Sequence, residues 1–151
     1  MTSAIDTLQM SELTTQQALP KRHFTSDNVQ LMLYNAALWN GHRIHFDAPY
    51  AKDVEGYPGL VIAGPLLGDW LHQLVEEWLG EAGRIVSMEY SNRSASYIGD
   101  TLTATGHIED IDFEVGRVVL KVDIRNAEGS SITPGTAVVQ FLQDNNEPGD
   151  E

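Results

Sequence analysis

Two histidines three residues apart, His42 and His45, share one short stretch with Asn40, Arg43 and Asp47, and Tyr50 follows close behind. Polar, titratable side chains crowded onto a loop between apolar segments mark a place where function tends to sit. Imidazole titrates near neutral pH, so His45 can serve as a general base. The H-x-x-H spacing also raises zinc. Two histidines are not a site, however, and the chain has no cysteine and no well-spaced third ligand. Neither a metal nor a cofactor is called for. His23, His72 and His107 read as structural or solvated. No Gly-rich phosphate loop, serine nucleophile elbow or dinucleotide fingerprint is present.

The elements around this stretch follow from hydrophobic period. Leu66, Leu67, Trp70, Leu71, Leu74, Val75, Trp78 and Leu79 form a wide apolar stripe at helical spacing. Gly64 suits the cap, Pro65 the first helical position, and Gly80 the exit. This is the most apolar helix of the chain, and it is read as the buried one. Upstream, Thr25, Ser26 and Asp27 offer caps for a helix running to Leu38 and breaking near Asn40. Asp47 can cap a further short turn. After Gly83 the period changes to two, over residues 84–91, 101–110, 117–125 and 136–142. Residues 98–100, 114–116 and 126–130 look like turns between antiparallel neighbours. Helices first and strands after predict an α+β domain in which an antiparallel sheet wraps one long central helix, the hot-dog arrangement.

The division expected is a flexible N-terminal arm over residues 1–22, one domain over 23–143, and an acidic disordered tail over 144–151. A net charge of −13 with nine basic residues argues against nucleic acid and anionic membrane as partners. No apolar run approaches a membrane span, and no charged-then-apolar leader is evident, so the expected location is the cytoplasm.

The stretch L-Y-N-A-A-L-W-N-G-H-R-I-H-F-D-A-P-Y-A, followed by V-E-G-Y-P-G-L-V-I-A-G-P-L-L, resembles the MaoC-like hydratases and dehydratases of acyl thioesters. It is most similar to the branch of type 2 hydroxyacyl-thioester dehydratases and mesaconyl-CoA hydratases. The resemblance runs from about Phe24 to Leu142 and is densest between Tyr34 and Leu67. It implies a hot-dog fold and the addition of water to, or its removal from, 2-enoyl or 3-hydroxyacyl thioesters of CoA or a carrier protein. The family motif Asp-x-Asn-Pro-x-His falls on residues 40–45, where only His45 matches; Asn40 replaces the acid and His42 the asparagine.

That chemistry needs a base for water, an acid for C2 and a holder of enolate charge. The resemblance gives the base to His45 and the oxyanion to the backbone N–H of Gly64. Asn40 cannot take a proton, so it orients water or donates a hydrogen bond. The second proton comes from His45, His42 or Asp47. Arg43 either pairs with Asp47 or meets a substrate carboxylate or CoA phosphate. Tyr57 shapes the turn into the helix and lines the acyl pocket. Lys52, Arg84, Arg93 and Arg117 are either scattered surface charge or the cationic patch CoA needs. The resemblance further implies two units side by side with continuous sheets, hence a homodimer for a chain of one unit. Two other readings stand beside it: a non-catalytic subunit of a heteromeric hydratase, argued by Asn40, and a hot-dog thioesterase using Asp69.

Overall fold

The computed structural model describes residues 7–142. Its backbone is a five-stranded antiparallel sheet in the order β1-β3-β4-β5-β2, formed by β1 (Arg22–Thr25), β2 (Gly83–Tyr90), β3 (Thr101–Asp112), β4 (Arg117–Arg125) and β5 (Ser131–Phe141). Helix α1 (Asn28–Ala37) and the long helix α2 (Gly64–Leu79) lie between β1 and β2 in the chain. Five strands at about 4.8 Å make a sheet about 19 Å across. The 16 residues of α2 span about 24 Å, enough to carry the chain from one sheet edge to the other.

The apolar stripe of α2 packs where its period predicts. Leu66, Leu67, Trp70, Leu71, Leu74, Val75 and Leu79 are buried, against Leu102, Ile108, Val118, Leu120, Ile124 and Val139 of the sheet. Only Trp78 of the stripe is half-exposed, resting edge-on against Phe141 with ring centroids 6.2 Å apart. Phe24 stacks on Trp70 at 4.5 Å and 9°, which binds β1 to α2 by about 0.5–1.5 kcal/mol beyond simple burial.

Three expectations change. Residues 7–21 are not a free arm. Leu13 and Leu19 are buried in the core, and residues 16–19 run along β3 through Gln16 N to Ile108 O (2.7 Å), Ile108 N to Gln17 O (2.9 Å) and Leu19 N to Gly106 O (2.9 Å). Their polar composition hid two leucines that pay for ordering the rest. Residues 1–6 and the acidic tail lie outside the described residues. Residues 98–100 do not join paired neighbours, because β2 pairs with β5 and β3 with β1 and β4. They end a crossover from the β2 edge to β3, the strand next to the opposite edge. Third, the helix begins at Gly64 itself, with Ala63 as its cap and Pro65 in its first turn. Among the described residues no helix is long and apolar enough to cross a membrane.

Candidate active site

The site begins where α1 ends. Asp27 caps α1 by accepting from Gln30 N at 2.8 Å, and the helix closes on Trp39, whose φ of 55° lies in the left-handed region. A tryptophan there costs about 1–2 kcal/mol relative to glycine, and its ring is 94% exposed. The turn throws Asn40 out of the helix, held by Asn40 N to Asn35 O at 2.8 Å.

From Asn40 the motif is built by local hydrogen bonds. Asn40 Oδ1 accepts from His42 N (3.1 Å), which orients the amide and leaves its N–H groups free to donate to a ligand. His42 Nδ1 accepts from Ile44 N (3.4 Å) and caps a single 3-10 turn, Arg43–His45. That turn swings His45 inward, to 8% exposure, while His42 stays exposed with its ring 5.9 Å from that of His45.

His45 Nδ1 lies 2.7 Å from Val61 O. A carbonyl can only accept, so Nδ1 carries the hydrogen and the neutral ring presents the lone pair of Nε2. Burial pushes the His45 pKa below its ordinary 6.5; the Val61 bond partly opposes this, and the neighbouring His42 charge adds to it. A neutral, correctly protonated imidazole near neutral pH is what a general base requires.

Val61 returns a bond, its N–H donating to Ile44 O at 3.0 Å. The motif is thus laced to residues 60–63, and these are laced on their other side to residues 96–98 by Ile62 N to Ser96 O (2.8 Å) and Ile98 N to Leu60 O (3.1 Å). Three residues beyond Val61, Gly64 opens α2. As the first helical residue it has no intrahelical partner for its N–H, and the helix end adds positive potential. Pro65 offers no donor.

Gly64 is also confined. A Cβ there would collide with the Asn92 side chain, with Cγ at 3.0 Å and Nδ2 nearer still. Asn92 follows β2 and is anchored by Thr133 Oγ1, a fully buried hydroxyl that donates to Asn92 Oδ1 at 3.0 Å. Neither residue is visible to motif reasoning. Nothing in local sequence separates Asn92 from an ordinary turn asparagine, and a buried Thr133 in a strand is the one faint signal.

Two motif residues turn out to serve each other. Arg43 Nε and Nη2 both donate to Asp47 Oδ2 (3.0 and 2.7 Å), and the guanidinium lies over the Tyr50 ring at 4.1 Å. Asp47 Oδ1 accepts from Tyr50 N at 3.1 Å, capping the turn as its position predicts. The Arg43 hydrogen bonds, with that of Tyr50 N, hold the Asp47 carboxyl below the usual carboxylate range. Asp47 thus braces Arg43 and the turn at Tyr50. Tyr57 sits with its ring 6.2 Å from Tyr97, and its N–H donates to Ala51 O (2.9 Å). On the opposite flank, Asp69 accepts a 2.7 Å hydrogen bond from Tyr34 OH. Burial first, then Asp69, raises the Tyr34 pKa, so the phenol stays neutral and keeps its hydrogen on Asp69.

The family model for hydroxyacyl-thioester dehydratase type 2 matches residues 3–98. The chain belongs to that family. Mesaconyl-C(4)-CoA hydratase of Chloroflexus aurantiacus is 52% identical over 44 residues, 29% of this chain and 16% of that protein. The mitochondrial hydroxyacyl-thioester dehydratase type 2 of Saccharomyces cerevisiae is 29% identical over 82 residues, 54% of this chain and 29% of that protein. The matches thus span less than a third of the length of these relatives. Among solved structures, the (R)-hydratase from A. caviae involved in PHA biosynthesis superposes with a TM-score of 0.79 at 18% identity, over 87% of this chain and 98% of that one. That likeness establishes the hot-dog fold. The family match ends at residue 98, so it takes in the motif, Gly64 and Asn92.

Proposed function

We propose that this chain interconverts 2-enoyl and 3-hydroxyacyl thioesters by addition and removal of water. The observation that carries the reading is the buried His45 ring, its Nδ1 fixed by the carbonyl of Val61, which lies three residues before Gly64. In the hydration direction His45 Nε2 takes a proton from water as the water oxygen bonds to C3. The C2–C3 π electrons move toward the thioester, and the enolate oxygen takes the charge beside Gly64 N–H. The His45 imidazolium then returns its proton to C2. Asn40, its oxygen oriented by His42 N, donates its amide N–H to the water or product hydroxyl.

The substrate reading is an acyl-CoA, with a mesaconyl-like dicarboxylic acyl group favoured by the 52% identity over 44 residues to the Chloroflexus relative. Arg43 suits the second carboxylate: its side chain keeps 57% exposure despite Asp47. Assaying the purified chain with crotonyl-CoA and mesaconyl-CoA tests this. Hydration of either supports the reading, and preference for mesaconyl-CoA supports the dicarboxylate. Free CoA release would favour the thioesterase reading, which the Tyr34–Asp69 bond weakens. Silence relieved only by a MaoC-like partner would make this a non-catalytic subunit, the reading that Asn40 in place of an acid favours.

A further inference from the structure

The glycine that opens α2 and the asparagine lying against it form a pair that the motif does not explain. Gly64 has room for no side chain because the Asn92 amide fills the space where a Cβ would project. That amide is held in one orientation. Thr133 Oγ1 donates to Oδ1 at 3.0 Å, which turns Nδ2 toward the helix end. The backbone on both sides is pinned to β5, by Ser91 N to Pro134 O (3.0 Å) and Arg93 N to Ile132 O (2.9 Å). The Asn92 side chain is thus anchored at its oxygen, while the residue is exposed overall. No described residue accepts a hydrogen bond from Nδ2.

The Asn92 Nδ2 crowds against Gly64 at the positive end of α2, and neither it nor the Gly64 N–H has an acceptor among the described residues, a setting that suits a negative oxygen brought by a ligand. We propose that Asn92 is a second oxyanion donor, its Nδ2–H acting with the Gly64 N–H on the thioester oxygen as enolate charge develops. This rests on the thioester reading above and assigns a residue far from the motif to the reacting atoms. No bond is made or broken by Asn92; its two protons stay in place while the charge grows and decays on the oxygen it faces.

Three substitutions test it. Asn92→Ala removes the donor and should lower kcat by about 10- to 100-fold with KM within threefold. Asn92→Asp puts a carboxylate at a helix N-terminus, which favours the fold and opposes an oxyanion. It should melt no lower than the unsubstituted chain and yet lose more kcat than Asn92→Ala. Thr133→Val keeps the amide but frees its orientation, and should fall between the two states. A second readout needs no turnover: binding of a 3-oxoacyl thioester such as acetoacetyl-CoA, followed by the ultraviolet absorbance of its enolate. The unsubstituted chain should shift the bound thioester toward enolate, and Asn92→Ala should weaken that shift at least tenfold. Loss of hydration with the enolate shift intact would count against the proposed reaction and leave Asn92 a donor. Asn92→Asp with kcat within threefold, losses confined to KM, or no enolate shift in the unsubstituted chain would overturn the assignment.

Discussion

Replacing Gly64 by alanine tests the site with one methyl group. Gly64 is helical and its φ is not positive, so the backbone accepts alanine, and the only objection is space. The new Cβ would stand where the Asn92 amide now lies, with Cγ at 3.0 Å. Asn92 must therefore leave. Its departure strands the fully buried Thr133 hydroxyl, at about 1–3 kcal/mol for an unpartnered buried donor. Alanine recovers up to about 1 kcal/mol over glycine in a helix, so the net loss is about 1 kcal/mol, with a fall in Tm of about 2–6 °C. The effect on rate should be far larger. Crowding the Gly64 N–H and evicting its neighbour should lower kcat/KM by about 10²–10³-fold. Gly41 and Gly59 supply the control, because a Cβ at either meets nothing within 4 Å; alanine at those positions should change stability by less than about 0.5 kcal/mol. Thermal melting and steady-state hydration of the three variants give both numbers. Gly64→Ala with kcat/KM within threefold of the unsubstituted chain would refute the placement of the oxyanion at the start of α2.

His45→Ala should lower turnover by about 10²–10⁴-fold, and the acid limb of kcat/KM in the unsubstituted chain should fall below pH 6.5, because burial lowers the His45 pKa. The same shift makes the unfolded state bind more protons, so His45's stability penalty is absent above about pH 6.5 and grows as pH falls toward its lowered folded value; an acid limb above 6.5 would contradict the base assignment. Asn40→Asp should raise activity on simple enoyl thioesters by restoring the family acid, whereas a fall would show Asn40 tuned to a substrate that brings its own carboxylate. The open edge of β2 should pair with a second copy, and light scattering at micromolar chain and 0.15 M salt should report a dimer; a particle of 16.7 kDa would sink that expectation.

What could be read in advance was whatever depends on neighbours in the chain. The stripe of α2, strand β4 at residues 117–125, and the Asp47 cap are all set by spacing within a few residues. His45 was legible as the one motif match, although its inward turn needed the 3-10 cap from His42 Nδ1. Asn92 and Thr133 were not legible, since they meet Gly64 only after β2 and β5 have paired. The N-terminal segment misled because its composition is polar while two leucines, Leu13 and Leu19, carry it into the core. Of the two readings open for Arg43, the pairing with Asp47 is made by the i,i+4 geometry of the turn.

The strand order also bears on how the molecule assembles. β3, β4 and β5 succeed one another in both chain and sheet, joined by short hairpins, whereas β1 and β2 come earlier and occupy opposite edges. Hairpin pairing closes short loops, while seating the two edges needs long-range closure by way of α2. The three-strand meander is therefore the natural first structure, and β4, flanked on both sides, should be the slowest to exchange its amide hydrogens. Apart from Thr133 on β5, every candidate site residue named above lies outside that meander: the motif after α1, Gly64 at the head of α2, and Asn92 just past β2. The active arrangement is the last thing this chain completes as it folds, and the first it surrenders when the edges open.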